Sequence, residues 1–326
     1  MRYQTFGRSH PADRSYDSIR QVLYEAYQNG CEATSNGKPA DYIPELSKAN
    51  GSDFGICFIN NAGERIEFGD VETRFSIQSI SKVINLAASL KFRGFRDIFS
   101  HVLMEPSGDE FNSILKLDTR NNLPFNPFIN AGAIQVVSLL ADMFSFDEML
   151  KFAKQLCMDD EIELNEKVYQ SENETGDRNR AIAYLLKSKG VLMSEPEKVV
   201  DFYFRMCSLN VTARSLAGLG IVLANGGMNP FTGKYFLAPN YVRTIKALMF
   251  TCGMYDFSGE WGVRVGIPAK SGVGGGVVCA AEGMGFGLYG PALDKTGNSV
   301  AAIAAMEHTS HLLSLHAFDV RKFDAK

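Results

Sequence analysis

Strand-like segments lie near both ends of this 326-residue chain, and the long stretch between them has a helical pattern. The strand-like segments are short runs rich in β-branched and aromatic residues, bounded mostly by turn-forming residues. They lie at 54–59, 64–68, 75–77, 261–267, 277–281 and 286–289. This order predicts an α+β fold in which one sheet is built from both ends of the chain and the helical block is inserted between its halves.

Apolar residues three and four positions apart predict the helices. They lie at 13–29, 80–92, 130–144, 146–157, 177–189, 195–208, 212–225 and 298–316. Stop signals are predicted at Asn29-Gly30 and at Asn225-Gly226-Gly227. The run from Ser194 to Glu197 is typical of a capping box with Pro196 in the first helical turn.

We expect one domain over residues 1–326 that consists of two lobes. An α/β lobe is predicted at about 1–78 and 226–326, and a helical lobe at about 79–225. Because small-molecule sites commonly lie in crevices between packed units, the functional site is expected between the lobes.

Composition excludes several classes of protein. Apolar residues make up 45% of the chain, which supports a sizeable core and rules out disorder as the main state. With 33 basic and 37 acidic residues the net charge is −4, which argues against a nucleic-acid binder. The longest apolar run, 131–144, is shorter than the ~20 residues of a membrane span, and no apolar signal region begins the sequence. The six cysteines form no C-x-x-C pair, so we expect a cytoplasmic protein with reduced thiols.

The sharpest local feature is the run Ser79-Ile80-Ser81-Lys82, which lies where a strand-like piece turns into a helix. Three residues along a helix place Lys82 on the same face as Ser79, one turn away. A serine hydroxyl becomes a good nucleophile only when a base takes its proton, and a lysine can do so if burial or a nearby cation lowers its pKa. Taken alone, the motif fits a helix cap at Ser79 equally well.

Other matches to the same spacing are interpreted as chance, because Ser35 and Lys38 lie in a polar loop and Ser113 and Lys116 follow a charged one. A second feature is Lys270-Ser271-Gly272, since serine acyl enzymes pair S-x-x-K with a K-[ST]-G run on a strand beside the site. The glycines that follow would let the backbone approach a ligand closely. The similar run Lys295-Thr296-Gly297 is predicted to be the turn before the last helix.

The polar run at 171–179 allows two interpretations. It fits a solvated loop with a helix N-cap at Asp177, and it also fits a pocket wall in which Glu172 and Asn179 meet a charged small molecule. Two further patterns are rejected: the GxGxxG run at 285–290 has no room for a βαβ unit, and His308 and His311 lack other metal ligands nearby. No metal or cofactor is predicted.

Several longer motifs occur in a fixed order. They are YIPEL at 42–46, FSIQSISK at 75–82, NPFINAGAI at 126–134, SENETGDRN at 171–179, DFYF at 201–204, LANGG at 223–227, CGMYDFSGEWG at 252–262 and IPAKSGVGGG at 267–276. With these motifs, the sequence resembles the serine-dependent glutaminases, a family that shares the fold of β-lactamases and penicillin-binding proteins. The resemblance covers about 42–316 and implies an antiparallel sheet flanked by helices with an inserted all-helical lobe.

The resemblance implies that L-glutamine is the substrate and that it is hydrolysed to L-glutamate and ammonia through a γ-glutamyl-serine intermediate. Ser79 is then the nucleophile, Lys82 its general base, and Tyr255 a neighbour that relays the leaving-group proton. The backbone N–H groups of Ser79 and Val273 are expected to form the oxyanion hole, supported by the Lys270-Ser271-Gly272 strand.

The resemblance also implies a substrate pocket and an assembly. The amino-acid head group is expected to bind among Asn130, Glu172, Asn179 and Tyr203, with Tyr42 closing the pocket. Asn130 and Tyr203 would otherwise be a helix N-cap and a core residue. The family suggests a homo-oligomer, a dimer or tetramer, with no nucleic-acid or membrane partner.

Two alternatives stay open at this point. One is a penicillin-binding or β-lactamase-type hydrolase, in which Ser208-Leu209-Asn210 or Ser171-Glu172-Asn173 supplies an S-x-N element. The other is a non-catalytic amino-acid-binding or structural protein. Ammonia release from glutamine, compared with hydrolysis of a chromogenic β-lactam, separates these possibilities.

Overall fold

Strands from both ends of the chain meet in one sheet. The structure is a computed structural model that describes residues 14–106 and 122–319. Over these residues the strands, in chain order, are β1 Gly55–Asn60, β2 Arg65–Gly69, β3 Phe75–Ser76, β4 Glu163–Leu164, β5 Leu209–Val211, β6 Ala269–Ser271, β7 Gly276–Ala281 and β8 Met284–Tyr289. Five of them form an antiparallel sheet in the order β2-β1-β8-β7-β6, and β3, β5 and β4 form a small second sheet. The predicted α+β architecture is confirmed.

Helices surround the main sheet. In the described ranges they are α1 Tyr16–Ala33, α2 Ser81–Arg93, α3 Phe95–Ile98, α4 Asn130–Ala141, α5 Phe146–Cys157, α6 Glu166–Thr175, α7 Asp177–Ser188, α8 Pro196–Cys207, α9 Ala213–Ala224, α10 Pro239–Cys252, α11 Ser258–Arg264 and α12 Val300–Leu312. None of these described helices is both long and apolar enough to cross a membrane.

The sheet is buried on both faces because its side chains alternate between two cores. Ile56 and Phe58 of β1 join the core under α1 and α12, whereas Cys57 and Ile59 join the larger core of the helical block. Helix α9 lies directly on β8, where a Cβ atom at Gly285 would be 2.1 Å from the Ile221 backbone. The glycines of the rejected GxGxxG run therefore allow close helix–sheet packing. The division into two lobes stays a prediction.

Two sequence predictions of elements were wrong. Helix α1 does not stop at Asn29-Gly30 but continues to Ala33. Gly30 has a packing role instead of a stop role, since a Cβ atom there would lie 2.1 Å from the Phe54 ring. The predicted strand at 261–267 is largely helix α11. Trp261 and Val265 are four residues apart and both buried, so a helical face was mistaken for strand alternation.

Helix ends also differ from the predictions. Ser194 does not cap α8; its hydroxyl donates to Ser138 O and Asp142, and the N-cap position is Glu195 without a side-chain cap. Asp177 and Asn130 are the first residues of α7 and α4 rather than N-caps. Helices α6 and α10 were not predicted, and α6 includes 171–175 of the run interpreted as a loop or pocket wall. The stop after α9 is confirmed.

Candidate active site

A sharp turn presents Ser79. Strand β3 pairs with β5, and the chain then passes through a 3₁₀ turn, Gln78–Ile80, directly into α2. Gln78 has φ +50°, a left-handed conformation that non-glycine residues adopt at an energetic cost and that occurs often at functional sites. The predicted strand-to-helix turn at Ser79 is confirmed, and Ser79 is nearly buried at the start of α2.

Lys82 lies one turn further along and is fully buried. Its Nζ donates hydrogen bonds to Phe128 O at 3.1 Å and to Asn130 Oδ1 at 2.7 Å. The Ser79 hydroxyl is not among the hydrogen-bond partners of Nζ in the described residues. Burial lowers the pKa of Lys82 to about 8, although the negative charges of Cys207 and Glu172, where ionised, act to raise it.

The loop between β6 and β7 packs tightly on the Ser79 turn. A Cβ atom at Gly272 would be 2.7 Å from Ile77 O, and one at Gly274 would be 2.3 Å from Ser76 O. The glycines therefore allow one backbone to approach another, whereas the sequence predicted an approach to a ligand. This packing brings the backbone of Val273 close to the Tyr255 hydroxyl, and Ser79 lies close to the same hydroxyl. Burial raises the pKa of that hydroxyl.

Lys270 is a second fully buried lysine, on β6 at the edge of the main sheet. Its Nζ donates to Ser271 O at 2.7 Å and to Gly253 O at 3.1 Å, and it lies 4.4 Å from the centroid of the Tyr255 ring. Burial, together with the charge of Lys82, holds the pKa of Lys270 well below its usual value. Lys270 thus supports the ring whose hydroxyl meets Ser79.

Four polar side chains from four different helices meet beside Lys82. Asn130 Nδ2 donates to Asn179 Oδ1 at 3.0 Å, and the Tyr203 hydroxyl donates to Asn130 Oδ1 at 3.4 Å. Burial raises the pKa of Glu172 to about 7, although a hydrogen bond with Gln78 and the charge of Lys82 oppose the shift. The helices α4, α6, α7 and α8 therefore bring the predicted pocket residues together.

Tyr42 lies at the rim of this cluster. The residue as a whole is 55% exposed. The end that carries the hydroxyl is nevertheless buried, and this burial, together with charge on Tyr255 and Glu172, raises the pKa of Tyr42. The hydroxyl therefore faces the cluster while much of the ring faces solvent.

Two buried residues in this region were not predicted. Gln78 Nε2 donates to Ser76 Oγ at 3.2 Å, and the side chain lies near Glu172, where it acts to lower the pKa of that carboxyl. The Cys207 sulfur is 3.6 Å from Ser81 Oγ, and burial raises the pKa of the thiol to about 12, so it is not a nucleophile at neutral pH. Both could have been identified from the sequence by their positions, because Gln78 directly precedes Ser79 and Cys207 follows Tyr203 by one helical turn.

The other sequence matches lie elsewhere. Lys38 forms an exposed ion pair with Asp41, and the 295–297 run is a turn before α12, as predicted. Ser113 and Lys116 are outside the described residues. A cavity of about 740 Å³ borders the cluster through Phe128 and Tyr255 but is not lined by Ser79, Lys82 or Glu172. The site is therefore identified by converging polar side chains rather than by cavity volume.

Comparison with known families agrees with this arrangement. Residues 37–318 match the family model described as Glutaminase. The chain belongs to the glutaminase family. A glutaminase from Clostridioides difficile is 47% identical, over 91% of this chain and 98% of its own length. Glutaminase 2 of Clostridium perfringens is 44% identical, over 92% of this chain and all of its own length.

Solved glutaminase structures share the fold. The probable glutaminase YbaS superposes with a TM-score of 0.88 at 35% identity, covering 94% of this chain and 100% of its own. The Bacillus subtilis glutaminase YbgJ has a TM-score of 0.82 at 35% identity, covering 92% and 99% of the two chains. The β-lactamase-like fold is thereby confirmed. This glutaminase is an enzyme, so the alternative of a non-catalytic binding protein is not supported, and its family membership favours glutaminase over a β-lactamase-type hydrolase.

Proposed function

We propose that this glutaminase hydrolyses L-glutamine through a γ-glutamyl ester on Ser79, with Lys82 as the general base. The observation that carries the proposal is the buried Lys82 one helical turn after Ser79, with a pKa lowered to about 8. At neutral pH roughly a tenth of such a lysine is neutral and able to accept a proton. A neutral amine has two N–H bonds, and Phe128 O and Asn130 Oδ1 accept both, which leaves the nitrogen lone pair for the Ser79 proton.

The proposed reaction has two stages, acylation of Ser79 and hydrolysis of the resulting ester. Lys82 takes the Ser79 proton while Oγ bonds to the substrate Cδ, and the N–H groups of Ser79 and Val273 stabilise the oxyanion. The C–N bond breaks, and ammonia leaves with the proton returned from Lys82 through the Tyr255 hydroxyl. Water next gives a proton to Lys82 and attacks the ester. Glutamate departs, and the proton returns to Ser79 Oγ.

The pocket residues suit an amino-acid head group. Glu172, when ionised, pairs with the substrate ammonium group, and the ammonium in turn favours the ionised carboxylate. Asn130, Asn179 and Tyr203 present amide and hydroxyl donors for the α-carboxylate, and Tyr42 closes the rim. Lys270, Ser271 and Gly272 support the oxyanion loop and Tyr255. A cytoplasmic location and a homo-oligomeric dimer or tetramer stay predictions.

A covalent glutamine analogue tests the nucleophile. YbgJ was solved as a covalent complex with 5-oxo-L-norleucine, formed by reaction with 6-diazo-5-oxo-L-norleucine. We expect that reagent to label Ser79 here, as read by peptide mass spectrometry. Ser79→Ala should abolish labelling and lower kcat by about 10³-fold or more. Ser89→Ala, on the same helix and hydrogen-bonded to Asn85 O, is the matched control and should change neither. Labelling of another residue, or turnover by Ser79→Ala, would contradict the proposal.

A further inference from the structure

The carbonyl group that holds Lys82 lies in a loop. Phe128 O accepts a hydrogen bond from Lys82 Nζ, and Phe128 precedes α4, which begins at Asn130. A loop carbonyl has no helical or sheet ladder to fix its direction, so another contact must do so. The orientation of the lysine therefore depends on what fixes this turn.

The side chain of Asn126 fixes it. Its Oδ1 accepts hydrogen bonds from the N–H groups of Phe128 at 3.0 Å and Ile129 at 3.1 Å. Its Nδ2 donates to Glu105 O at 2.8 Å. Asn126 is 1% exposed, so each of these polar atoms would be costly to leave without a partner.

The turn is also pressed against the first turn of α4. A Cβ atom at Gly132 would lie 1.8 Å from Asn126 O, so the backbone around Asn126 has no space to shift toward the helix. On the other side, Leu103 N donates to Pro124 O and Glu105 N donates to Phe125 O, each at 2.8 Å. The segment is thus held from both sides, with Asn126 at its centre.

We propose that Asn126 is a positioning residue for Lys82: its side chain fixes the Phe128 carbonyl, which directs the Lys82 amine toward Ser79. The inference rests on the proposed function, because it needs Lys82 as the base. The other titratable groups that act on Lys82 are Cys207 and Glu172, and Lys270 is coupled to it from β6. None of them contacts Asn126 by hydrogen bond.

The test compares two asparagines with the same local geometry. Asn229 Oδ1 accepts from Phe231 N at 2.9 Å and Thr232 N at 3.2 Å, in a loop that takes no part in the proposed site. For Asn126→Ala we expect kcat to fall about 10- to 100-fold, as for small displacements of reacting groups. KM should change by less than about threefold, because the head-group residues are untouched. Asn229→Ala removes the same pair of acceptor contacts and should leave the kinetics unchanged, with a smaller loss of thermal stability because Asn229 is less buried.

The pH profile separates positioning from a structural role. A fixed carbonyl acceptor stabilises the Lys82 ammonium, so its loss should shift the acidic limb of kcat/KM to lower pH. Asn126→Asp keeps both acceptor contacts, should recover part of kcat, and keeps the proposal testable if the alanine variant fails to fold. The added carboxylate charge should raise the pKa of Lys82 and shift the acidic limb of kcat/KM to higher pH.

Two results would overturn the inference. One is a folded Asn126→Ala variant that is destabilised but has wild-type kcat and an unshifted limb. The other is an Asn126→Asp variant with kcat no higher than that of the folded alanine variant. Lys82→Ala separates a failure of the proposed function from a failure of this inference. If Lys82→Ala keeps wild-type turnover, the proposed function fails. If Lys82→Ala is inactive while Asn126→Ala has normal turnover, only the inference about Asn126 fails.

Discussion

The cluster around Lys82 and the ion-pair network around Arg214 both contain acids and bases, yet the pKa shifts run in opposite directions. Around Lys82, burial lowers the pKa of the base to about 8 and raises the pKa of Glu172 to about 7, so charge is disfavoured. Arg214 makes a bidentate pair with Glu67 at 2.6 and 2.7 Å, and its own pKa is raised. Burial acts to raise the pKa of Glu67, but the hydrogen bonds and charges of Arg214 and Arg65 outweigh it.

The difference lies in how each charge is compensated. Arg214 and Glu67 face each other directly and are partly exposed, so both stay ionised and link α9 to β2. Lys82 is surrounded mainly by neutral acceptors and is fully buried, so its charged form is destabilised. We therefore expect the first group to contribute stability and the second to contribute reactivity.

The largest expected effect comes from Lys82→Met. Without a base, kcat should fall about 10³-fold or more, measured by ammonia release. Because the pKa of Lys82 is lowered in the fold, the folded state binds fewer protons than the unfolded state between about pH 8 and the usual lysine value, so stability rises with pH there. The stability difference between wild type and variant should show that rise. Lys91→Met, which changes an exposed lysine on the same helix, is the control for turnover and should leave kcat unchanged. Retained turnover by Lys82→Met would remove the contrast between the two regions.

A smaller effect is expected from Glu172→Gln, which keeps the shape and removes the anion. KM for glutamine should rise about 100-fold, since the substrate ammonium loses a buried charged partner. The pKa of Glu172 is raised to about 7, so wild-type KM should rise as the pH falls below that value, whereas the KM of the variant should not. Glu174→Gln changes an exposed residue of the same helix and should behave as wild type. Equal KM values for wild type and Glu172→Gln would place the ammonium elsewhere.

The smallest effect is expected from Arg214→Met. The free energy of unfolding should fall by about 1 kcal/mol, because ion pairs open to solvent are weak, while kcat stays unchanged. The pKa of Glu67 is lowered in the fold, so the pair stabilises fully above the usual glutamate pKa and loses this effect as the pH falls below that value toward the lowered pKa of the folded state. Denaturant unfolding of wild type and variant at neutral and acidic pH measures the difference. A loss of kcat would show that the network also supports the site.

Local patterns predicted part of the backbone structure around the proposed site. The turn at Ser79 was visible because turn residues and apolar periodicity act over a few neighbours, whereas a strand at Lys270-Ser271-Gly272 was expected only from the motif it shares with serine acyl enzymes. The partners of Lys82 were not visible as partners: Phe128 and Asn130 are 46 and 48 residues away along the chain. The strand predicted around Trp261 failed for a related reason, since only packing shows which face of that segment is buried.

From the amino-acid sequence alone one can read the coarse order of strands, helical block, strands and last helix, the Ser79–Lys82 spacing and the set of polar residues in the longer motifs. The glycines after Lys270 were also visible, but only the tertiary structure shows that they fit against the backbone of Ser76 and Ile77. The tertiary structure likewise decided which groups are charged. Protonation depends on burial and on neighbours brought together by folding, and three other helices bring Asn130, Glu172 and Cys207 to Lys82.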